Sequence, residues 1–288
     1  MTLKESLSEF VKALEPTEQE QKAVQQVYGP LIKALMKPLA LLPEKQAFLA
    51  GSWGRGTAIT PLHDVDLFAV LSTTAERAQQ KHRPSEILTQ VERVLRELYP
   101  GARLKRQRRS IQLSGVAPGF PALGFDVVPA FRNPTDKERY HIPDDREDTW
   151  IRTNPELHKK RLTAALPLVL PLIKVIKRWA RHQRHPLRSF YLETMCVDAL
   201  QVRPASQLDG LRAMFEGLAT VVRAPVQDPA KLGPQLDQGA TVEERKAKEA
   251  LFRAAAAEVQ LAQSEEARGR PDLAHARMRA LLGSDWRA

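Results

Sequence analysis

The spacing of apolar residues predicts that the first half of the chain mixes helices with buried strands. Apolar positions that recur every three or four residues mark the helices, and two of these helices begin with a threonine three residues before a glutamate, the pattern of a capping box. The helices predicted in this half cover residues 2–14, 17–38 and 84–98. Continuous or alternating apolar runs predict strands near residues 48–50, 64–71, 110–113 and 122–129.

The second half of the chain has helical periodicity almost throughout. The helices predicted here cover residues 168–184, 207–223 and 241–267, with another that starts at 189 and a last one that ends near 282. Residues 130–160 are polar and interrupted by prolines, so we predict a loop-like connection between the two halves.

The composition is that of a globular chain suited to a polyanionic partner. The 288 residues are 43% hydrophobic and 27% charged, with a net charge of +10 and a pI of about 9.8. Such a charge suits nucleotides or nucleic acid and does not distinguish between them. Cys196 is the only cysteine, which excludes an intrachain disulfide and a cysteine-based zinc site, and we expect this side chain to be buried.

The sequence shows neither a signal peptide nor a membrane span. The first ten residues, MTLKESLSEF, are polar and helical in pattern. The longest apolar run, residues 164–173, is too short to span a bilayer and contains two prolines. We therefore expect a cytoplasmic protein without a membrane partner.

Aspartates in two of the predicted strands are the first sign of chemistry. Asp64 and Asp66 are two positions apart, so both side chains project from one face of a strand while Val65 projects into the core. Neighbouring carboxylates repel each other unless a cation lies between them, and hard cations such as Mg²⁺ take oxygen ligands. Asp126 interrupts a later apolar strand, where an unpaired acidic residue would be costly. We interpret Asp126 as a third metal carboxylate; the alternative is an edge strand on which it faces water.

A glycine-rich turn comes shortly before the carboxylate pair. Gly51, Gly54 and Gly56 lack side chains, so backbone N–H groups near them can approach a phosphate chain closely. The hydroxyls of Ser52 and Thr57 supply further donors. Gly51 and Ser52 are therefore candidate nucleotide-binding residues, and the order of turn and carboxylates favours nucleotide transfer.

The carboxylates predict a two-metal reaction. Three carboxylates on adjacent strands can hold two Mg²⁺ ions, or Mn²⁺ in their place, roughly 3.5–4 Å apart. One ion would lower the pKa of an attacking hydroxyl, and the other would bridge the nucleotide phosphates. We expect Asp64, Asp66 and Asp126 to be both metal ligands and catalytic residues, with Asp126 serving mainly the ion at the hydroxyl.

Together, Gly51, Ser52, Asp64, Asp66 and Asp126 resemble the polymerase-beta-like nucleotidyltransferase superfamily. More narrowly, the chain resembles the cGAS/DncV-like nucleotidyltransferases, bacterial enzymes of anti-phage signalling that make cyclic oligonucleotides. Later segments extend the resemblance over nearly the whole chain, although a leucine at position 282 stands where an aromatic residue is usual. These segments are TWIRTNPELH (149–158), LIKVIKRWA (172–180), SFYLE (189–193), Asp228-Pro229 and MRALLGSDW (278–286).

The resemblance implies an α+β, two-lobed nucleotidyltransferase fold with the active site in the cleft between the lobes. Residues 1–160 would form the catalytic lobe, with a mixed β-sheet and N-terminal helices, and residues 161–288 would form a helical lobe. Lys177 and Ser189 would contact the triphosphate from the helical lobe, and Lys174, one turn earlier, competes with Lys177 for that role.

For other residues near these motifs, the sequence leaves two interpretations open. Glu193 is structural, either as a cap or as the partner of an arginine. The basic residues 103–109 either line the substrate cleft or form a solvated strand edge. Tyr191 and Trp53 either stack on a base or lie in the core.

The function implied is Mg²⁺-dependent condensation of nucleoside triphosphates, ATP among them, into a cyclic di- or trinucleotide, with release of pyrophosphate. The family leaves room for a regulatory protein partner, and the sequence contains no obvious module for duplex nucleic acid. One alternative is an enzyme that adds nucleotides to an RNA 3′ end, such as a CCA-adding transferase, which would share the active site; the chain length leaves little room for a tRNA-binding domain. The other is a catalytically silent nucleotide or nucleic-acid sensor, against which the complete carboxylate set speaks.

Overall fold

The chain folds into two compact units, which we call the sheet unit and the helical unit. The computed structural model describes residues 1–42, 47–72, 77 and 81–288. The sheet unit comprises Pro16–Arg55 and Pro61–Lys159. The helical unit comprises Met1–Glu15, Gly56–Thr60 and Lys160–Ala288. The expected α+β fold with two lobes is confirmed.

The helices and strands follow one another in the order that the apolar pattern predicts for most of the chain. In the first half they are α1 (Leu3–Ala13), α2 (Glu18–Leu35), β1 (Ala47–Leu49), α3 (Gly51–Gly54), β2 (Asp64–Leu71), α4 (Pro84–Leu98), β3 (Arg103–Arg106), β4 (Ile111–Ser114), β5 (Gly124–Arg132), β6 (Tyr140–Asp144) and β7 (Thr149–Thr153). In the second half they are α5 (Pro155–Thr163), α6 (Val169–His182), α7 (Ser189–Ala199), α8 (Gln207–Val221), α9 (Val242–Ala267) and α10 (Pro271–Leu282).

The sheet unit is built on one mixed β-sheet. Its strand order is β1-β2-β5-β4-β3, and β6 and β7 continue the sheet from the far end of β5. β2 and β5 run parallel, whereas the other pairs are antiparallel. One face of the sheet is apolar, and the buried residues Val65, Leu67, Phe125 and Val127 form a core there with α4. Because strand side chains alternate, the opposite face of β2 and β5 carries the aspartates.

Local capping signals explain why the predicted helices begin where they do. Thr2 and Thr17 each accept a hydrogen bond from the backbone N–H of the glutamate three residues on, and that glutamate bonds back to the threonine N–H. Thr241 starts α9 in the same way. Such reciprocal caps satisfy backbone donors that a helix start leaves unpaired. Among the helices that the structure describes, none is both long and apolar enough to cross a bilayer.

The core of the helical unit is aromatic at its centre. Trp179 on α6 lies with its ring 5.1 Å from that of Phe215 on α8 and 5.5 Å from that of Phe252 on α9. Cys196 on α7 is completely buried in the same core, as expected from the sequence. Burial raises the pKa of this thiol well above its usual range, so it is an unreactive packing residue.

The prediction that residues 130–160 form a loop is wrong. β5 continues to Arg132, and β6 and β7 then form a hairpin in which Pro143 is paired with Trp150. The apolar pattern fails here because β6 buries polar groups, including Asp144, whose carboxylate accepts a 2.7 Å hydrogen bond from Arg108 Nε. A strand whose buried polar side chains are paired with distant residues shows no apolar alternation.

The division into compact units differs from the predicted boundary at the N-terminus. α1 belongs to the helical unit, because Leu3, Leu7 and Phe10 are buried in that unit's core. The ring of Phe10 lies 5.7 Å from that of Trp286 near the end of the chain. The short segment Gly56–Thr60, which begins with the last glycine of the glycine-rich turn, also belongs to the helical unit.

Candidate active site

The pairing of β2 with β5 brings the aspartates of both strands together. In this parallel pair, Asp66 stands opposite Asp126 and Asp64 stands opposite Gly124. Residues opposite each other in adjacent strands project from the same face, so the carboxylates share one surface of the sheet. β5 lies between β2 and β4, and Asp126 is only 8% exposed. The alternative of a water-facing Asp126 on an edge strand is therefore wrong.

Burial and mutual repulsion perturb the carboxylate of Asp126. Loss of solvation, followed by the negative charges of Asp66 and Asp64, raises the pKa of Asp126 from 3.8 to about 7. Lys105 and a hydrogen bond from Gln112 oppose this rise. Gln107 Nε2 also donates to Asp126 Oδ1 at 3.0 Å. The site thus stores electrostatic repulsion that a bound cation would relieve.

The glycine-rich turn lies directly against Asp66. The N–H of Ala50 donates to the Asp66 carbonyl at 2.9 Å, and the next residue, Gly51, has a φ of +56°. A Cβ atom on Gly51 would lie 1.6 Å from Asp66 Oδ2, so only glycine fits there. Ser52 follows in this turn and is half-buried. The turn and the carboxylates therefore form one local structure within the sheet unit.

We expect Gly51→Ala to reduce the nucleotidyl transfer predicted from the sequence by at least about 10²-fold, because a displacement of about 1 Å at reacting groups costs that much. The added Cβ must push Asp66 aside, and the positive φ adds backbone strain. Steady-state rates of Gly51→Ala and wild type, measured with circular dichroism spectra of both, check this.

Gly119→Ala is the matched control, since Gly119 also has a positive φ, +76°, but has no atom within 4 Å of the position of an added Cβ. Equal activity in Gly51→Ala and Gly119→Ala would contradict the steric account.

The residues present fit a hard metal ion whose coordination shell is completed by substrate oxygens. Within the described residues, no group of three or more His, Cys, Asp or Glu side chains is arranged to hold a metal by itself. Mg²⁺ is commonly bound by one or two carboxylates together with substrate phosphates and water, rather than by an all-protein cage. The shared face of Asp64, Asp66 and Asp126, with its repulsion around Asp126, matches that kind of partial site.

The lysine and serine predicted to bind triphosphate lie in the helical unit. Ser189 is exposed at the first position of α7. Lys177 on α6 is 4% exposed, and its Nζ donates to the Thr57 carbonyl at 2.7 Å and to Glu193 Oε1 at 2.9 Å. Glu193 is therefore structural, with a lysine rather than an arginine as its partner. Lys174, the competing residue, is also buried and forms an ion pair with Glu15.

The basic segment 103–109 divides into exposed and paired residues. β3 is the last strand of the described sheet order, and Arg103 and Lys105 project from it into solvent. Arg106 forms a bidentate ion pair with Asp145, at 2.6 and 2.9 Å. Lys105 pairs with Gln112, which in turn pairs with Asp126, so Lys105 lies on the face of the sheet that carries the carboxylates.

The two aromatic residues proposed for base stacking are not equally exposed. Tyr191 is 4% exposed in the helical core, which favours the packing interpretation for this side chain. Trp53 is partly buried and packs against the core of the sheet unit.

Sequence reasoning missed the two glutamines that contact Asp126. The alternating segment Ser110-Ile111-Gln112-Leu113 does place Gln112 on the polar face of a predicted strand. Its position opposite Asp126, however, depends on the register of β4 with β5. For Gln107, which follows the end of β3, the sequence contains no comparable signal.

Comparison with known proteins identifies the family. Residues 1–165, more than half of the chain, match the model of the SMODS family, the Second Messenger Oligonucleotide or Dinucleotide Synthetase domain. The chain belongs to this family. It is 29% identical over 185 residues to the CBASS oligonucleotide cyclase CdnC of Escherichia coli (strain KTE188), a match that covers 60% of this chain and 57% of the relative. The chain thus spans just over half the length of that curated relative.

Solved structures show that the fold is that of cGAS/DncV-like nucleotidyltransferases. CdnC of E. coli MS115-1 with ATP has a TM-score of 0.78 at 17% identity, covering 99% of both chains. The same protein in a complex with HORMA-deltaN also has a TM-score of 0.78, at 18% identity, covering 99% of this chain and 98% of that one. CdnG of Bradyrhizobium diazoefficiens in complex with GTP has a TM-score of 0.73 at 14% identity, covering 96% of this chain and 97% of that one.

Proposed function

We propose that this protein is a metal-dependent nucleotidyltransferase that condenses nucleoside triphosphates into a cyclic di- or trinucleotide and releases pyrophosphate. The observation that carries the proposal is the register of β2 with β5, which sets Asp66 opposite Asp126 and Asp64 one step along the same face. Membership of the SMODS family and similarity to an oligonucleotide cyclase support the cyclic product.

In each transfer, a sugar hydroxyl oxygen forms a bond to the α-phosphorus of a nucleoside triphosphate. The bond from that phosphorus to the β-phosphate oxygen breaks, pyrophosphate leaves and the hydroxyl proton is released. A further transfer of the same kind within the linear product would close the ring, the second transfer for a dinucleotide and the third for a trinucleotide. Catalysis of such a reaction depends mainly on positioning and on electrostatic stabilisation.

The sheet unit supplies the metal ligands and the phosphate-binding turn. We assign Asp64, Asp66 and Asp126 as the carboxylates that hold Mg²⁺, or Mn²⁺, with two ions per active site. When bound, the ions supply activation of the attacking hydroxyl and neutralisation of the phosphate charge. Gly51 keeps the turn close to Asp66, and Ser52 presents its hydroxyl and backbone N–H to the phosphates. These contacts orient the triphosphate for attack.

Lys177 and Ser189 are the proposed triphosphate contacts from the helical unit. Ser189 suits this role because it is exposed at the start of a helix. Lys177 donates to Thr57 and Glu193, so a phosphate would have to compete with these partners. Because Thr57 lies five residues after Ser52, we also propose that Lys177 helps to position the chain that follows the phosphate-binding turn.

Substrates and partners follow from the relatives. Structures of CdnC with ATP and CdnG with GTP support purine nucleoside triphosphates as substrates, with ATP among them. The complex of CdnC with HORMA-deltaN supports a regulatory protein partner. The similarity to a CBASS cyclase supports a role in anti-phage signalling. Since nucleoside triphosphates are held inside the cell, the proposed activity implies a cytoplasmic location.

Incubation with labelled ATP, GTP, CTP and UTP plus Mg²⁺ or Mn²⁺ tests the proposal. We expect a phosphatase-resistant product, whose bases and ring size mass spectrometry would identify. The Asp64→Asn/Asp66→Asn double variant should produce none of it. If label were instead incorporated only when tRNA is added, the protein would be an RNA 3′-end transferase and the cyclase proposal would fail.

A further inference from the structure

Two glutamine side chains contact the carboxylate of Asp126. Gln107, just after β3, donates from Nε2 to Asp126 Oδ1 at 3.0 Å. Gln112, on β4, stands opposite Asp126 in the antiparallel register, and its side chain lies beside the carboxylate and lowers the pKa of Asp126. Both donors come from the side of the sheet away from β2, so Asp126 lies between two amides and the carboxylates of β2.

Gly124 provides the space in which the Gln112 side chain lies. A Cβ atom on Gly124 would approach Gln112 Nε2 to 2.8 Å and its Cδ and Cγ to 2.9 Å. Gly124 is the first residue of β5, and its φ is not in the left-handed region, so its backbone would accept alanine. The missing side chain at this position therefore serves the conformation of Gln112 rather than that of the backbone.

The donors to Asp126 differ in charge from the donors to two other acids of the sheet unit. Asp144 and Asp145 are paired with Arg108 and Arg106, whose hydrogen bonds and positive charges lower the pKa of both acids. An amide donates a hydrogen bond without carrying charge, so it orients a carboxylate while leaving its negative charge for a cation. An ionised carboxylate has about four acceptor sites, so two amide contacts leave others for a ligand.

We propose that Gln107 and Gln112 are positioning residues that fix the Asp126 carboxylate for metal binding, and that Gly124 keeps the space that Gln112 needs. The inference rests on the proposed function in assigning Asp126 as a metal ligand. It deepens that assignment, because it names the groups through which β3 and β4 support the site. Residues that orient a metal ligand typically contribute about 10–100-fold to metal affinity or activity.

Alanine variants of the two glutamines test the kinetic consequence. In Gln107→Ala and Gln112→Ala we expect kcat to fall about 10–100-fold and the Mg²⁺ concentration for half-maximal rate to rise, with the KM for the nucleotide unchanged. If the glutamines had a purely structural role, the substitutions would instead lower the thermal stability, and the Mg²⁺ requirement of the folded fraction would be that of the wild type.

Gly124→Ala tests the same contact without changing either glutamine or Asp126. The new methyl group should displace the flexible Gln112 side chain, so Gly124→Ala should reproduce the defect of Gln112→Ala. In the double variant the methyl group meets no Gln112 amide, so its effect should equal that of Gln112→Ala alone rather than the product of the two. Multiplicative effects would overturn the assignment.

Mn²⁺ binding gives a readout that does not depend on turnover. Electron paramagnetic resonance would measure free Mn²⁺ in the presence of the non-hydrolysable analogue α,β-methylene-ATP, for wild type, Gln112→Ala and Gly124→Ala. We expect Mn²⁺ affinity to fall about 10–100-fold in both variants. Ser114→Ala is the matched control on β4, because Ser114 pairs with Gly124 rather than with Asp126 and its hydroxyl donates to the Arg103 carbonyl.

The two proposals fail in distinguishable ways. If the wild type made no nucleotide product but the two variants bound Mn²⁺ more weakly than the wild type, the cyclase function would fail while the positioning role held. If wild type were active and both variants kept its kcat, Mg²⁺ requirement and Mn²⁺ affinity, the positioning role would be refuted. If Gln112→Ala failed to fold, Gly124→Ala would still test the positioning role, because this variant retains every polar group.

Discussion

Replacing Asp126 with asparagine is expected to reduce nucleotidyl transfer at least about 10³-fold and, at the same time, to stabilise the metal-free protein. Metal ligands of this kind contribute several kcal/mol of transition-state stabilisation, and each 1.36 kcal/mol is a factor of ten in rate. Asparagine keeps the shape of the side chain and its contacts with the two glutamines, but it cannot supply the negative charge that a cation needs.

The gain in stability follows from the direction of the pKa shift. Asp126 has a native pKa of about 7, raised by burial and then by Asp66 and Asp64, against 3.8 for the ordinary group. Between these two values the native state binds more protons than the unfolded state, so stability falls as pH rises through that window. Above pH 7 the whole penalty is present, on the order of 2–4 kcal/mol, and asparagine never incurs it.

Differential scanning calorimetry in EDTA checks this second effect. At pH 8, Asp126→Asn should melt several degrees above wild type, and the difference should shrink as the pH is lowered to 5. Asp198→Asn is a suitable control, because Asp198 is exposed and pairs with Arg161 at the surface, where such pairs contribute little. A melting temperature of Asp126→Asn below that of the wild type at pH 8 would contradict the claim that the charge of Asp126 destabilises the metal-free protein.

Replacing Lys177 with methionine should destabilise the protein by about 3–5 kcal/mol, the usual cost of removing one partner of a buried ion pair. Glu193 is 1% exposed and would remain in the core without the lysine, and the Thr57 carbonyl would lose a donor at 2.7 Å. Chemical denaturation of the two proteins, compared at equal m-values, measures the difference.

Two further variants distinguish the effect of breaking the buried ion pair from the effect of removing a lysine in general. Lys12→Met removes an exposed lysine paired with Glu9 and should cost no more than about 1 kcal/mol. Lys177→Met/Glu193→Met removes both charges and should recover part of the lost stability, because no uncompensated charge is left in the core. A double variant no more stable than Lys177→Met would show that the cost does not come from the carboxylate that Lys177→Met leaves in the core.

The sequence predicted best those features that depend on local signals. Period-two spacing placed Asp64 and Asp66 on one face, and capping boxes at Thr2 and Thr17 located the starts of α1 and α2. These signals are complete within a few residues, so no knowledge of distant contacts is needed to interpret them.

Features that depend on distant contacts could not be predicted from such local signals. The partner of Lys177 in the backbone, Thr57, is 120 residues away, and no spacing rule links them. The β6–β7 hairpin was missed because Asp144 is paired with Arg108, in the connection between β3 and β4, and this pair hides the alternation of an ordinary strand. Gln112 acts on Asp126 only through the register of two strands, and register is set by the whole sheet.

Anomalous diffraction from crystals of the wild-type protein soaked with Mn²⁺ and α,β-methylene-ATP would test the central claim most directly. We predict two anomalous peaks, both in contact with oxygens of Asp64, Asp66 or Asp126 and with the phosphates of the analogue. Crystals of Asp64→Asn/Asp66→Asn under the same conditions should lack them. Peaks bound elsewhere in wild type, or nucleotide bound without metal at these carboxylates, would contradict the assignment of the site.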